Sequence, residues 1–277
     1  MNGRVRDFLS RLILVLTTVL GLLKLLLPPL DWEVWLIFIV LIGAVSGGWA
    51  WLSTKPKHIH EGVILEEIEE DVILEVPATY DMLVQANKHA KSIYGRGSPS
   101  LDDVEKWWNR NPFVEAVLHT KSGEYLGYFD VLPLTDDGAK LVECGKIHER
   151  EIPTTCILSP VKMKEAKTLY LAGFAVKDSG TEKGKMIAAK LFYGLACYIE
   201  HYFGMADRRI LALAATPDGE RILKAINAKL ICPKDIRKDK YDLYEIMLTS
   251  SLLLEIKSRA LRRAKPPVLM FKPITEY

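Results

Sequence analysis

Two glycines and two lysines lie close together near the middle of the chain, at Gly180, Lys183, Gly184 and Lys185. They follow a compact apolar segment and precede a long amphipathic one. The first backbone N–H groups of a helix have no partner inside the helix, and the helix dipole favours negative charge at that end. The segment therefore predicts a site for phosphate or pyrophosphate, held by backbone N–H groups and assisted by the lysines.

Two elements must position this turn. Thr168–Val176 is an apolar run between polar residues, which is typical of a strand covered on both faces. From about Met186 the apolar residues recur at helical spacing, for example at Ile187 and Leu191, which predicts a long helix with a wide buried face. An ordinary strand-to-helix turn, with glycine used only for its backbone freedom, is the simplest alternative.

Two common phosphate motifs do not fit this turn. Met186 follows Gly184-Lys185, so no hydroxyl is placed for magnesium as in the phosphate loop, and the three glycines of the dinucleotide fingerprint are absent. The segment instead resembles the acyl-coenzyme A motif of the GNAT-type N-acetyltransferase superfamily. In that motif a strand ending in hydrophobic-x-Val leads into Gln/Arg-x-x-Gly-x-Gly/Ala and then a helix. Gly184 matches, whereas Thr181 replaces the usual Gln or Arg and Met186 replaces the last small residue.

The resemblance implies direct transfer of an acetyl or other acyl group from coenzyme A to an amine. It also implies that backbone groups of the strand end contact the pantetheine arm and stabilise the developing oxyanion, while the turn and its lysines hold the pyrophosphate. The implied acyl-CoA-binding residues are Phe174, Ala175, Val176, Gly180, Thr181, Lys183, Gly184, Lys185 and Met186.

The acid and base of such a reaction are not identified by the sequence. The strand segment from 169 to 176 carries no carboxylate, and the predicted helix at 217–229 has no tyrosine where many superfamily members place their acid. Glu143, Tyr170, Tyr241 and Tyr244 are alternatives from neighbouring segments, although packing or surface roles are more common for such residues.

The order of predicted elements also resembles that superfamily, over about 73–248. The pattern predicts an α/β (α+β) domain whose mixed central sheet is flanked by helices. Helices are predicted at 79–94, 100–111 and 217–229, a strand hairpin at 114–134 with its turn at 122–123, and further strands at 210–215 and 241–248. The acceptor pocket would then be built from loops, with 131–167 the expected region.

Two apolar segments, 12–30 and 34–52, precede this domain and are each long enough to cross a bilayer as a helix. Only three residues join them, which predicts an antiparallel transmembrane hairpin over 1–53. A secretory signal peptide is the alternative for the first segment, but no small-x-small cleavage site precedes Trp32. Gly43-x-x-x-Gly47 would suit helix packing within the hairpin or a homo-oligomer.

Basic residues flank both outer ends of the hairpin, whereas the short loop is acidic. The positive-inside rule then predicts an integral membrane protein, in the cytoplasmic membrane if bacterial, with both termini and the domain in the cytoplasm. Residues 54–72 form an acidic connector, and 73–249 form the acyltransferase domain. The tail at 250–277 begins with a basic amphipathic segment that either lies on the anionic leaflet or docks on its own domain.

Charge and cysteine usage restrict the partners. Beyond residue 60 the chain has 31 basic and 32 acidic residues, since the first sixty hold six and three of the totals of 37 and 35. A nucleic-acid partner is therefore not expected. The four cysteines lack metal-ligand spacing, so reduced thiols and no metal are predicted. We expect a membrane-anchored N-acyltransferase with a lipid bilayer and an amine acceptor as partners. Two alternatives are a non-catalytic binding module of the same fold and a membrane effector with a soluble sensor domain.

Overall fold

The computed structural model describes residues 71–204 and 207–276, which belong to one compact unit. In this part of the chain, eight strands form one sheet, and six α-helices flank it. The strands are β1 Val72–Val76, β2 Glu115–Thr120, β3 Tyr125–Leu134, β4 Thr168–Val176, β5 Arg208–Ala214, β6 Lys229–Cys232, β7 Asp242–Leu248 and β8 Val268–Phe271. The helices are α1 Tyr80–Tyr94, α2 Leu101–Arg110, α3 Asp136–Glu143, α4 Glu182–Phe203, α5 Pro217–Ala225 and α6 Ser250–Leu261.

The sheet is mixed, with the strand order β6-β7-β5-β4-β3-β2-β1-β8. The β4–β5 and β1–β8 pairs are parallel, and the remaining neighbours are antiparallel. Helix α4 packs on the aromatic-rich face of the sheet, and α1 covers part of the other face, where it meets Val117 and Tyr128. The predicted α/β architecture, with a mixed central sheet between helices, is confirmed.

The ladder between β4 and β5 is short, and this opens the sheet. Only Thr168 to Leu171 of β4 pair with β5, where they meet Arg209 to Ala212. Beyond Leu171 the edge of β4 that faces β5 has no strand partner in this part of the described chain. On its other edge β4 contains a bulge, because Asp130 pairs with Gly173 and Val131 with Leu171, which leaves Ala172 as the extra residue. The two strands therefore diverge in a fork.

Helix α4 begins earlier than its apolar periodicity predicts. Thr181 is the N-cap, and its Oγ1 accepts a hydrogen bond from the Gly184 N–H at 2.9 Å. The helix therefore starts at Glu182, and the expected start near Met186 is wrong because polar residues fill the first turn. The far end is anchored in the core, where the Tyr198 hydroxyl donates to the Phe113 carbonyl at 2.8 Å.

The C-terminal segments differ from expectation in two places. Helix α5 ends at Ala225 rather than at Lys229, since Asn227 adopts a left-handed φ of 57° and Lys229 begins strand β6. After α6 the chain adds strand β8, which the sequence did not predict, in parallel beside β1. Helix α6 packs on α4 through buried Leu253 and Ala260, so the docking alternative for the tail holds.

Several sequence predictions concern residues outside the described part of the chain. The transmembrane hairpin at 1–53, including its Gly43-x-x-x-Gly47 motif, and all of the acidic connector before residue 71 belong to this group. Within 71–204 and 207–276, we find no helix whose length and hydropathy would allow it to cross a membrane.

Candidate functional site

A cavity of about 440 Å³ occupies the fork between β4 and β5. We call it the fork cavity. The diverging part of β4 forms one wall, and the start of α4, the end of α1 and the start of α5 contribute to the others. Its lining is mainly apolar. Residues from each of these walls are Phe174, Gly184, Tyr94 and Thr216.

Four carboxylic acids line the fork cavity. Asp218, at the start of α5, pairs with Arg221, and we call the other three the carboxylate cluster: Glu115, Asp130 and Glu149. Glu115 on β2 pairs directly with Asp130 on β3, and Asp130 pairs with Gly173 on β4, so they form a row across three strands. Gly173 is needed in this row. A Cβ at that position would lie 2.7 Å from Asp130 Oδ2 and 2.9 Å from the Tyr128 hydroxyl.

Glu115 and Asp130 behave as a coupled acid pair. Glu115 is 1% exposed, and its carboxyl group hydrogen bonds to that of Asp130. Burial is the main cause that raises the pKa of both groups, because the charged form loses its hydration, and the neighbouring Asp130 charge raises the pKa of Glu115 further. Two adjacent carboxylates cannot both ionise cheaply, so the pair holds one proton between them.

Glu149 approaches the same region from a short 3₁₀ helix, Glu149–Glu151. Its Oε1 is sealed from solvent, although the residue as a whole is only partly buried. Burial, followed by the charge of Asp130, raises the pKa of Glu149 to about 8. The neighbouring Tyr170 side chain and Arg237, which is itself paired with Asp239, both partly oppose the increase. Glu149 is therefore a carboxyl group that changes protonation near neutral pH.

Within the described chain, each member of this cluster has one oxygen that is buried without a hydrogen-bond partner. These atoms are Glu115 Oε1, Asp130 Oδ1 and Glu149 Oε1. An unsatisfied buried carboxyl oxygen is costly, and it is found mainly where a ligand or water completes the site. The cluster is therefore an incomplete acceptor site that faces the cavity.

The edge of β4 offers backbone groups to the fork cavity. The Tyr94 hydroxyl donates to the Phe174 carbonyl at 3.1 Å, which shows that this carbonyl points away from β3. Because the N–H and C=O of one strand residue face the same edge, the Phe174 N–H also faces the fork. Because the backbone groups of successive residues face opposite edges of a strand, the N–H and C=O of Ala175 face β3 instead. Burial raises the pKa of Tyr94 to about 12, so its hydroxyl keeps its proton at neutral pH.

The start of α4 is a smaller anion site than the sequence predicted. The Gly184 N–H is already bound to Thr181, and the Lys185 N–H is bound to the Thr181 carbonyl. Among the described residues, the N–H groups of Glu182 and Lys183 have no acceptor and are available to a ligand. The Lys185 ammonium lies 2.6 Å from the Glu182 carboxylate, in an exposed pair that is worth little to stability.

The structure explains why position 184 requires glycine, which the sequence alone did not. A Cβ at this position would lie 2.1 Å from the Asp178 carbonyl oxygen and 2.7 Å from its carbon. Glycine is thus required for the turn to pack against the helix start. Because aspartate is acceptable near a helix N-terminus, the sequence predicts that Gly184→Asp leaves the helix and fold intact. That prediction is wrong, because the clash involves backbone atoms that no rotamer change can relieve.

The predicted binding residues separate into two groups. Six of them line the fork cavity, whereas the remaining three are not among its lining residues. The six are Phe174, Ala175, Val176, Gly180, Gly184 and Lys185, and the three are Thr181, Lys183 and Met186. Their role as ligands of an acyl-CoA stays a prediction.

The four alternative acid–base residues also separate. Tyr241 lines the cavity, whereas Tyr170 does not line it but lies close enough to Glu149 to affect its pKa. Tyr244 is buried in the core, and Glu143 forms an ion pair with Arg209. Among the described residues, no group of three or more His, Cys, Asp and Glu is arranged to hold a metal ion.

The carboxylate cluster is the part of the site that the sequence analysis missed. Asp130 is the only charged residue in the strand from Tyr125 to Leu134, which is a usable signal because charges inside an apolar strand are rare. Glu115 had no such signal, since alternation predicted an exposed position and the structure buries every residue of β2.

Comparison with known proteins finds only solved structures of low sequence identity. No family model matches the chain, and no curated protein matches it. Several solved structures are similar at low identity. A GCN5-related N-acetyltransferase from Brucella melitensis is 11% identical over 69% of this chain and 81% of its own, with a TM-score of 0.41. A GNAT-family N-acetyltransferase (YhbS) from Escherichia coli in complex with CoA is 12% identical over 75% and 93%, with a TM-score of 0.37. A GNAT-family acetyltransferase from Listeria monocytogenes is 13% identical over 64% and 95%, with a TM-score of 0.35. Likeness at this level does not establish the family, and the argument for function depends on the geometry of the chain itself.

Proposed function

We propose that this protein is an acyl-CoA-dependent N-acyltransferase whose reaction takes place in the fork cavity. The observation that carries the proposal is the fork itself. It combines an unpaired edge of β4 and a buried group of carboxylic acids in one cavity of about 440 Å³, and the free N–H groups of Glu182 and Lys183 precede Gly184 and Lys185, which line it. These three features suit an enzyme that joins an anionic thioester substrate to an amine, because they position both substrates and stabilise developing charge.

The residues present fit an acyl-CoA. The free N–H groups of Glu182 and Lys183 and the Lys183 ammonium suit a pyrophosphate, and the Phe174 N–H suits a carbonyl oxygen of the extended arm or of the acyl group. The bound substrate would supply the thioester, whose acyl carbon accepts the amine nitrogen. The apolar lining excludes water, which strengthens every hydrogen bond to a developing negative charge.

Glu149 is the proposed general base. The attacking amine must be neutral to react and must lose a proton as the new bond forms. A carboxylate with a pKa of about 8 takes up that proton far more readily than an ordinary glutamate. The Tyr170 hydroxyl lies beside Glu149 and partly opposes the increase in its pKa. Tyr94, which stays protonated, is the hydroxyl available near the strand edge to donate a proton to a leaving thiolate.

Anchoring to the membrane is part of the proposal, and the sequence of the first 53 residues supports it. Two apolar segments with basic outer flanks favour a hairpin whose two ends lie in the cytoplasm together with the domain. A reporter fused after Tyr277 should then be active only as a cytoplasmic fusion. A signal from the opposite side of the membrane would contradict this orientation.

The test is transfer of an acetyl group by the full-length protein in detergent. We expect acetyl-CoA and a pool of primary amines to give acetylated products that mass spectrometry can identify. Replacement Glu149→Gln should lower the rate strongly, whereas Glu165→Gln, which changes an exposed glutamate, should not. In the wild-type protein, kcat/KM should rise with pH through about 8 as Glu149 loses its proton.

Binding measured separately distinguishes the alternatives. Calorimetric binding of acetyl-CoA without transfer to any amine would favour a non-catalytic module of the same fold. If neither binding at millimolar acetyl-CoA nor transfer is detected, the proposed activity is wrong.

A further inference from the structure

We infer that the acceptor is a small aliphatic diamine, whose second, protonated nitrogen is held by Glu115 and Asp130 while its reacting nitrogen faces Glu149. This inference rests on the proposed function, because it names the substrate of that same site. It is argued from the number, position and surroundings of the carboxyl groups, and it concerns binding before any transfer.

The carboxylate cluster contains more acid than a single base requires. Proton removal needs one carboxylate, and Glu149 is separate from the pair on the sheet. Glu115 and Asp130 make no ion pair with a lysine, arginine or histidine in the described chain. Both have an oxygen that is buried without a partner, and both line the fork cavity. A buried acid pair of this kind is stable only if it stays protonated or receives a cation.

The walls beside the pair suit an organic cation. Tyr94, Tyr128 and Trp107 line the same cavity, so aromatic rings and carboxylates meet there. Aromatic faces attract ammonium groups, and the apolar lining suits a short hydrocarbon chain between two charged ends. A hydrated metal ion would gain less from such walls, because it prefers a full shell of oxygen ligands.

Other charged and titratable groups near the cluster do not supply the missing cation. Tyr94, Tyr125 and Tyr128 face the acid pair, and burial raises the pKa of each, so they remain neutral. On the side of Glu149, Tyr170 is likewise neutral, and Arg237 is engaged by Asp239 at 2.6 Å. Lys185 and Arg221 also line the cavity, but they pair with Glu182 and Asp218. We therefore assign the positive charge to the ligand.

Binding of such a ligand should release a proton. A diamine enters with both nitrogens protonated, and its second ammonium group displaces the proton that Glu115 and Asp130 share. That proton passes to the buffer, so the measured enthalpy should depend on the ionisation enthalpy of the buffer. The O–H bond of the shared proton breaks and a new bond to the buffer base forms, while no bond to carbon changes.

The experiment compares two ligands of nearly equal shape on the full-length protein without acyl-CoA. Calorimetry with 1,4-diaminobutane and with 4-aminobutan-1-ol isolates the second ammonium group, since a hydroxyl replaces it in the latter. We expect the diamine to bind at least about tenfold more tightly, in keeping with the cost of leaving a buried charge unpaired. Its enthalpy should also vary between phosphate and Tris buffers at pH 7. Replacement Asp130→Asn should remove both differences, whereas Asp136→Asn, at an exposed site, should retain them.

Three outcomes would overturn the inference: equal affinity for the two ligands, no detectable binding of the diamine at millimolar concentration, or stabilisation by Ca²⁺ or Mg²⁺ in place of the diamine. These results are separable from a failure of the proposed function. If the protein acetylates 4-aminobutan-1-ol as readily as the diamine, the proposed N-acyltransferase activity is supported, but the inference that the acceptor is a diamine is wrong. If the diamine binds tightly with release of a proton but is never acetylated, the diamine site is supported and the proposed acyltransferase activity is wrong.

Discussion

The pKa of Glu149 makes protein stability depend on pH in a predictable direction. In the unfolded chain this carboxyl group has a pKa near 4.5, whereas burial raises the pKa to about 8 in the folded protein. Between these values the folded state holds a proton that the unfolded state has lost. The free energy of unfolding therefore falls as the pH rises from about 4.5 to about 8. Below and above this window Glu149 contributes no slope.

The size of the effect follows from the linkage relation. One proton corresponds to about 1.4 kcal/mol per pH unit, and the slope fades as the pH approaches 8. From pH 6 to pH 8 the free energy of unfolding should fall by at most roughly 2 kcal/mol. This is an upper bound because Glu149 is only partly buried. Glu149→Gln removes the titrating group and keeps the size of the side chain. The variant should therefore become more stable than the wild type as the pH rises.

Thermal unfolding followed by tryptophan fluorescence measures this difference. For a chain of this size, the Tm of Glu149→Gln relative to wild type should increase by up to roughly 4–8 °C between pH 6 and pH 8. Glu165→Gln is the matched control, since its carboxylate is exposed, and its profile should run parallel to the wild type. Parallel profiles for Glu149→Gln and wild type would refute the assignment of Glu149 as a buried proton carrier.

Three further predictions concern the turn and the tail. Gly184→Ala should lower the free energy of unfolding by about 1–3 kcal/mol in urea, because its Cβ would overlap the Asp178 carbonyl, whereas Lys185→Ala should leave stability unchanged. Lys183→Ala should weaken CoA binding in calorimetry by about 1 kcal/mol, and Lys185→Ala should weaken it by less, since Glu182 partly neutralises Lys185. If neither variant changes the affinity for CoA, no phosphate binds at this turn. Deletion of residues 266–277 should lower the Tm by several degrees, because it removes the β8 partner of β1; an unchanged Tm would contradict that pairing.

Much of the fold follows from local patterns in the sequence. Helix α1 begins after Thr79 and ends at Gly95, and α2 begins with a capping box between Ser100 and Asp103, in agreement with prediction. The hairpin of β2 and β3 was predicted from its turn residues. Strands β6 and β8 were not predicted, because each has only four residues and forms only by pairing with a neighbouring strand.

The candidate site was predictable only where chemistry and local pattern coincide. The strand–turn–helix segment around Gly184 has a recognisable motif, but its hydrogen bonds depend on the Thr181 cap, which leaves fewer N–H groups free than the motif implies. The fork cannot be predicted from the sequence of β4 alone. It arises because pairing with β5 stops after Leu171, and the register of two strands distant in sequence decides where that happens.

The carboxylate cluster illustrates the same limit at the level of side chains. Glu115 occupies a strand position that alternation assigns to solvent, and it is buried because α1 and the loop carrying Glu149 cover that face of the sheet. Asp130 then raises the pKa of both Glu115 and Glu149, acids from distant segments, a property that belongs to none of them alone. Burial of so much acid reduces stability and contributes nothing to packing that apolar residues would not provide better. Its presence beside a cavity, with three oxygens unsatisfied, is therefore best explained by a ligand that brings positive charge.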